Sequence, residues 1–385
     1  MRNWLLPEHV EDVLPPEAEQ VEALRSRLLA LFRGHGYRTV IPPMLEFVDS
    51  LRVGTGIDLD LRTVKVADQL SGRLMGLRAD ITPQVARIDA YRAPRTGVAR
   101  YAYCGSVLHA RPASGSARRE LLQLGAELFG HGGVASDIEV QRLMLEALRA
   151  AGLGGIHLDL GHVGVFRALV AGAGVEATLE AELFEALQRK DEPLVASLTG
   201  SLPEPWRAAL RRLPRLYGDE GVLAEARACL PREPALLSAL DALEAIAQAT
   251  REAATLHVDL AELRGYRYHT GVVFAAYTAS HPSAVAAGGR YDELGAAFGR
   301  ARPATGFSLD LFALSALVGP QAQSGVILAP GGQAAGLADA IAALRAAGEK
   351  VVVDLGDGVP EGAGVDRRLV ASKGGRRVES LPAQR

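Results

Sequence analysis

Four polar residues in two short segments have the types and the spacing needed to bind a small zwitterion. Asp80 and Thr82 lie two positions apart in Gly76-Leu-Arg-Ala-Asp-Ile-Thr-Pro83, so an extended segment would place both side chains on one face. Gln123 and Glu127 alternate with leucines and alanine, which predicts a strand with one polar face. At a rise of about 3.3 Å per residue they would stand about 13 Å apart. That separation suits the two ends of a small ligand.

A glutamate among apolar neighbours needs a partner, so we expect a cationic or N–H group beside Glu127. The segment Arg264-Gly-Tyr-Arg-Tyr-His-Thr-Gly271 adds arginines and aromatic rings. These residue types fit a ligand pocket and a hydrogen-bonded polar layer inside a sheet protein equally well, because acids are rarely buried unless they are paired. The pattern by itself leaves both interpretations open.

Other candidate sites are weaker. The loop Pro330-Gly-Gly-Gln-Ala-Ala-Gly336 matches neither dinucleotide- nor nucleotide-binding glycine pattern, which favours a tight turn over a phosphate site. His157 and His162 lie five apart without an HExxH motif or a Cys/His cluster, so we expect no metal site and no cofactor. The two cysteines, Cys104 and Cys229, are far apart, which argues against a disulfide framework and fits a reducing cytoplasm.

Length and composition favour a folded chain of two or three domains. The sequence has 385 residues, of which 48% are hydrophobic, and its net charge is −3. Without a basic stripe, a nucleic-acid-binding surface is disfavoured. No run of about 18 apolar residues predicts a membrane span. The first residues lack the apolar core of a signal peptide, so a cytoplasmic location is expected.

Hydrophobic periodicity predicts the elements that carry these residues. A helix should begin at Pro15-Pro16, bury a stripe from Val21 to Phe32 and end at Gly34 to Gly36. A strand over 37–41 should follow. The next predicted elements are a hairpin over 64–70 and 73–77, a helix over 83–91, strands over 98–109 and 119–129 around a polar loop at 111–118, and a helix over 136–151.

The composition changes over residues of about 163 to 253. This stretch is rich in Ala, Leu, Glu and Arg, which predicts a helical insertion. Beyond it we predict strands at 255–260 and 270–278, a strand and helix around 304–318, and a β-α-β pattern at 325–329, 333–347 and 351–355. Two parts are therefore expected, residues 1–320 and 321–385. The second is short for an independent domain.

Several segments, in the same order, resemble class II histidyl-tRNA synthetases over about residues 1–320. They are Gly36 to Glu46 for the first motif, Leu77-Arg-Ala-Asp-Ile-Thr82, Arg100 to Gly130 for the second motif, Arg264 to Phe274 for histidine recognition, and Ala287 to Asp292 with Gly306 to Leu309 for the third. The resemblance implies an α+β fold with a class II synthetase-like antiparallel sheet flanked by helices, a helical insertion and a short α/β C-terminal region. It also implies a homodimer built on residues of about 17–46.

The segments that would bind ATP depart from the synthetase pattern. Synthetases carry Phe-Arg-Tyr-Glu-Arg-Pro in the second motif, and this chain has Val107-Leu-His-Ala-Arg-Pro112, so Leu108 replaces an arginine. The third-motif Gly-Leu-Glu-Arg corresponds to Asp310-Leu-Phe-Ala313, which also adds an acid that would repel ATP. Losing both arginines removes the charge stabilisation on which phosphoryl chemistry chiefly depends. The resemblance therefore implies a chain without catalytic residues.

The residues that would bind the amino acid are largely retained. By the resemblance they are Asp80, Thr82 and Gln123 for the α-amino group, Glu127 for an imidazole nitrogen, Tyr268 and His269 for the ring slot, and Arg264 for the carboxylate. His269 stands where synthetases have a tyrosine, and Arg267 stands where they have an aspartate.

This combination of losses and retention resembles the regulatory subunits of ATP phosphoribosyltransferase, as do Trp4 to Pro16 and Tyr266-Arg-Tyr-His-Thr-Gly271. The resemblance implies a non-catalytic subunit of a glycosyltransferase complex in the first step of histidine biosynthesis. Its partners would be a separate catalytic subunit, a second copy of itself and free histidine, with neither tRNA nor membrane. The alternatives are an active histidyl-tRNA synthetase and a stand-alone paralogue that binds an amino acid or tRNA.

Overall fold

A computed structural model describes residues 5–52, 57–93, 96–112, 118–319, 325–356, 364–372 and 375–381, with residues 57 and 58 described by their backbone alone. It divides the chain into two compact units, Met1–Gly319 and Pro320–Arg385. Trp4 and most of the polar loop predicted at 111–118 lie outside the described residues.

The strands in the described part of the first unit form two sheets. In chain order these strands are β1 (Arg38–Thr39), β2 (Leu45–Phe47), β3 (Val64–Ala67), β4 (Leu74–Leu77), β5 (Ala99–Leu108), β6 (Glu120–Phe129), β7 (His157–His162), β8 (Tyr217–Gly218), β9 (Thr255–Asp259), β10 (Val272–Thr278), β11 (His281–Arg290) and β12 (Ala304–Asp310). Over the described residues, nine of them form one sheet in the order β1-β5-β6-β12-β11-β10-β7-β9-β8. The six from β5 to β7 pair antiparallel, which confirms the predicted fold class.

Helices cover this sheet and account for the stretch predicted to be helical. They are α1 (Glu17–Gly34), α2 (Val48–Arg52), α3 (Ile57–Arg62), α4 (Thr82–Arg87), α5 (Val134–Ala151), α6 (Val163–Gly172), α7 (Ala177–Gln188), α8 (Glu192–Leu198), α9 (Trp206–Arg212), α10 (Gly221–Cys229), α11 (Pro234–Thr250) and α12 (Leu311–Val318). The predicted stripe of α1 is buried, with Leu28 and Phe32 fully inside the core. No helix in the described part of the chain is long and apolar enough to cross a membrane.

Several predicted strands are shorter in the structure, and some strands were not predicted. Only Arg38 and Thr39 of the predicted strand 37–41 pair with β5, because Pro42 and Pro43 follow at once and proline cannot donate to a ladder. The hairpin predicted over 64–77 forms, but its strands are shorter, and β2 adds a third strand. The strand β11 was not predicted, since its Ala- and Gly-rich sequence lacks the β-branched residues that mark strands.

The second unit has a four-stranded sheet of its own within the described residues. It consists of β13 (Val326–Ala329), β14 (Lys350–Val353), β15 (Val365–Ser372) and β16 (Gly375–Ser380) in the order β14-β13-β15-β16, with helix α13 (Leu337–Ala346). Ile327, Leu337 and Leu369 are buried in its small core. The predicted β-α-β pattern is present, although the helix begins four residues later than expected. The hairpin of β15 and β16 was not predicted.

Candidate functional site

The loop between β4 and α4 carries the first predicted site residues. Arg78, which is 6% exposed, anchors it by donating to the carbonyl oxygens of Ser106 and Pro42, each at 2.8 Å. Asp80 Oδ1 accepts the backbone N–H of Thr82 at 2.9 Å, while Ile81 has helical backbone angles. The segment is therefore not extended at Ile81, because the chain turns here into α4. Even so, Asp80 and Thr82 both line one cavity.

Gln123 holds this loop in place from β6. Its Oε1 accepts the Ile81 N–H and its Nε2 donates to Asp80 Oδ1, both at 2.9 Å. These two bonds use both ends of the amide, so Gln123 positions Asp80. The predicted polar face of the strand is correct, since Gln123 and Glu127 both point toward the loop and cavity side, where Glu127 contributes to the cavity wall.

Glu127 is 1% exposed, and its partners are two tyrosines. The hydroxyl of Tyr103 donates to Oε1 at 3.0 Å, and the hydroxyl of Tyr291 donates to Oε2. The expectation of a cationic or N–H partner is wrong. Hydroxyl donors satisfy the oxygens without neutralising a charge, so burial raises the pKa of Glu127 to about 8 despite both donors.

Glycines make room for this cluster. A Cβ at position 306 would lie 1.5 Å from Glu127 Oε2, and one at position 125 would lie 2.3 Å from the Tyr103 hydroxyl. Both positions therefore require glycine. Tyr103 and Tyr291 were missed in the sequence, although Tyr103 stands directly opposite Gly125 across the β5–β6 pair. An aromatic residue facing a glycine on the neighbouring strand is the signal that could have identified it.

Residues 263–270 supply an aromatic wall of the cavity. The rings of Tyr268 and His269 meet edge to face with centroids 5.1 Å apart, and Tyr268 also packs on Tyr291 at 5.2 Å. Burial lowers the pKa of His269 to about 4, so its ring is neutral at physiological pH. The buried hydroxyl of Tyr268 has no hydrogen-bond partner among the described residues. This hydroxyl is therefore available to hydrogen-bond a ligand in the cavity.

The cavity that joins these residues has a volume of about 690 Å³, within the usual size range of small-molecule sites. Of the seven predicted residues, Asp80, Thr82, Glu127, Arg264, Tyr268 and His269 line it, and Gln123 stands behind Asp80. One end combines carboxyl groups with hydroxyls and aromatic rings, which suits a ligand with an ammonium group and a ring bearing N–H groups. Within the described chain, no three His, Cys, Asp or Glu side chains are placed to hold a metal.

The two segments that depart from the synthetase pattern have ordinary structural roles. Asp310 caps α12 by accepting from the N–H groups of Phe312 and Ala313, at 3.2 and 3.3 Å. It also accepts from Leu122 N–H on β6 at 3.1 Å. Burial raises the pKa of the Asp310 carboxyl despite these bonds. Leu108 ends β5. Neither segment offers a guanidinium where the synthetases have one.

Replacing Glu127 with glutamine is expected to change how stability depends on pH. An unfolded glutamate loses its proton near pH 4.5, whereas folded Glu127 keeps it to about pH 8. Between these values the folded state binds one proton more. The stabilising contribution of this carboxyl therefore falls as the pH rises, by up to about 1.4 kcal/mol per unit. An amide does not titrate, so the thermal midpoint of Glu127→Gln should climb relative to the unmodified protein over this window.

The matched control is Glu252→Gln at an exposed position, whose midpoint should track the unmodified protein at every pH. A constant offset between Glu127→Gln and the unmodified protein from about pH 5 to about pH 8 would show that Glu127 is not protonated in the folded state.

Comparison with known proteins finds matching families along almost the whole chain. A family model described as histidyl-tRNA synthetase matches residues 9–314, and one described as the ATP phosphoribosyltransferase subunit HisZ C-terminal domain matches residues 324–379. The ATP phosphoribosyltransferase regulatory subunit of Ralstonia nicotianae is 56% identical over 98% of each chain. That of Azoarcus sp. is 53% identical over 99% of this chain and 100% of the relative.

Solved structures extend the comparison to the fold. A Bacillus halodurans protein described as an ATP phosphoribosyltransferase regulatory subunit/histidyl-tRNA synthetase superposes with a TM-score of 0.82 at 27% identity, covering 94% of this chain and 95% of that one. The histidyl-tRNA synthetase of Nostoc sp. PCC 7120 superposes with a TM-score of 0.76 at 17% identity, over 96% and 91% of the two chains. That likeness supports the class II synthetase fold.

Proposed function

The chain belongs to the family of ATP phosphoribosyltransferase regulatory subunits, and from that premise we propose that it binds and activates a separate catalytic subunit and relays feedback by free histidine. The complex would be a glycosyltransferase working in the cytoplasm at the first step of histidine biosynthesis. The observation that carries the proposal is a pocket that keeps its acid, hydroxyl and aromatic groups in a chain where Leu108 and Ala313 replace two arginines of the synthetase pattern.

The pocket chemistry favours histidine over other amino acids. The ammonium group of an amino acid offers three donors and would bind Asp80 and Thr82. Gln123 holds Asp80 in place. Glu127 would accept an imidazole N–H, and the unpartnered hydroxyl of Tyr268 would serve the ring as well. A pocket built to pair ring nitrogens leaves buried groups unsatisfied with any other side chain, and this is the strongest form of discrimination. His269 and Arg264 complete the walls of this proposed histidine site.

Of the two alternatives, active synthetase chemistry is disfavoured by Leu108 and Ala313. A stand-alone binding protein would need no partner, and we disfavour it because relatives of the same length carry the name of a regulatory subunit. Neither tRNA nor a membrane is part of the proposed assembly.

An apolar surface supports the proposed homodimer. Strand register and alternation place Leu45, Phe47, Val64, Val66, Met75 and Leu77 on one face of the sheet β2-β4-β3. All six stay exposed or half-buried, whereas α2 covers the other face through Val48 and Leu51 over Gly76. Ile41 is 85% exposed nearby in sequence. Exposed apolar patches of this kind mark association surfaces, and part of this one falls within the residues of about 17–46 expected to form the dimer.

Ile41→Asp is expected to convert a dimer of the isolated chain into a monomer, because a charge buried without a partner opposes association. Light scattering at micromolar concentration measures the mass. Leu355→Asp, at a position 89% exposed in the second unit, is the matched control and should remain dimeric. A monomeric unmodified protein, or a dimer that tolerates Ile41→Asp, would contradict this interface.

Gel filtration with the catalytic subunit tests the proposal as a whole. We expect the two chains to elute together at a mass above that of either alone, with a fixed ratio that persists when either is in excess. Separate elution over the micromolar range would favour the stand-alone alternative.

A further inference from the structure

The charges inside the cavity restrict where an amino-acid carboxylate can lie. Asp80 would repel an anion, so the carboxylate, which shares its carbon with the ammonium, must point away from Asp80 toward a cation on another wall of the cavity. Among the described lining residues the cations are Arg62, Arg264 and Arg267. The ligand carboxylate should bind the arginine whose charge is not compensated by a neighbouring acid.

Arg264 is already engaged. Its Nη2 donates to the Tyr277 hydroxyl at 2.8 Å and lies 3.4 Å from Glu262 Oε2. Asp159 lines the same part of the cavity and also attracts Arg264. With two carboxylates and a hydroxyl around it, this guanidinium is compensated, and a ligand carboxylate would have to compete with groups already in place.

Arg62 and Arg267 make no side-chain hydrogen bond or ion pair within the part of the chain that the structure describes. Arg62 ends α3, and its charge acts on His109, on the side of the cavity where Asp80 lies. Arg267 directly precedes Tyr268, whose buried hydroxyl is unpartnered, and follows the tight turn at Gly265, where φ is +63°. Its exposed side chain therefore lies next to the ring slot in the cavity wall, and its guanidinium is available to a ligand.

We propose that Arg267, rather than Arg264, binds the α-carboxylate of the ligand, and so selects amino acids over amines and alcohols with the same ring. This inference rests on the proposed histidine site. It gives a role to an arginine at a position where the synthetase pattern has an aspartate. Arg264 remains a wall residue that fixes Tyr277 and Glu262.

Calorimetry on the full chain with histidine and with histidinol, which replaces the carboxylate by a CH₂OH group, tests the assignment. Arg267→Ala should weaken histidine binding about tenfold or more, the usual scale for a charge-assisted pair, and change histidinol binding less than twofold. Arg62→Ala and Arg264→Ala are matched controls that should affect both ligands alike.

Equal losses of both ligands in Arg267→Ala, or no loss at all, would overturn the assignment, as would a histidine-specific loss in Arg62→Ala or Arg264→Ala. These outcomes differ from a failure of the proposed function, in which the unmodified protein would bind neither ligand.

Discussion

Glu127→Ala is expected to weaken histidine binding by roughly 1–3 kcal/mol, the usual result of stranding hydrogen-bonded groups, which corresponds to about 5- to 150-fold in affinity. The change removes the acceptor for the imidazole N–H and leaves the hydroxyls of Tyr103 and Tyr291 without their shared partner. If this pocket is the histidine sensor, feedback inhibition of the complex should weaken in proportion.

Titration calorimetry on the isolated subunit and inhibition curves of the complex measure the two effects. Glu127→Gln is the conservative control, since it keeps the shape and one acceptor oxygen, and it should fall between Ala and the unmodified protein. If Glu127→Ala binds histidine as well as the unmodified protein and the complex stays fully inhibitable, the pocket is a relic and the sensor lies elsewhere.

No histidine-dependent exchange of pyrophosphate into ATP is expected from this chain. Phosphoryl chemistry depends on fixed positive charge around the α-phosphate, and Leu108 and Ala313 stand where the synthetase pattern supplies arginines. Asp310, which caps α12, cannot be exchanged without also disturbing the start of that helix.

Leu108→Arg alone should not restore exchange, because the third-motif arginine would still be missing, and the double change Leu108→Arg with Ala313→Arg is the stronger trial. An authentic histidyl-tRNA synthetase in the same assay is the positive control. Exchange by the unmodified chain well above the enzyme-free background would show that it is an active synthetase.

Sequence patterns predicted those parts of the fold that local periodicity determines. The strands β5 and β6 and the helices α1 and α5 have clear apolar stripes, and they were placed within a few residues. Predictions failed where long-range packing, rather than local sequence, determines the secondary structure. Strand β11 is held by its neighbours β10 and β12 despite an Ala- and Gly-rich sequence, and each strand of the β15–β16 hairpin carries two adjacent arginines, which interrupt the apolar alternation that marks a strand.

In the candidate site, too, local sequence patterns were predictive and long-range contacts were not. Residue types and spacing pointed to Gln123 and Glu127, because polar residues at regular spacing stand out in a strand pattern, and the structure places both on the side of β6 that faces Asp80 and the cavity. The partners of Glu127 could not be predicted, since Tyr291 lies 164 positions away in the chain and only the folded sheet brings the two together. Likewise, only the structure shows that Arg264 is paired with Tyr277 and Glu262, whereas Arg267 has no such partners among the described residues.

The most direct test of the regulatory role is the ATP phosphoribosyltransferase activity of the catalytic subunit, measured with increasing amounts of this chain and then with histidine added. We expect activity to rise with the added chain to a plateau at a fixed ratio. We also expect histidine to lower the activity of this complex through the Glu127 pocket. Activity that is independent of the added chain, or histidine inhibition that is the same without it, would contradict the regulatory role.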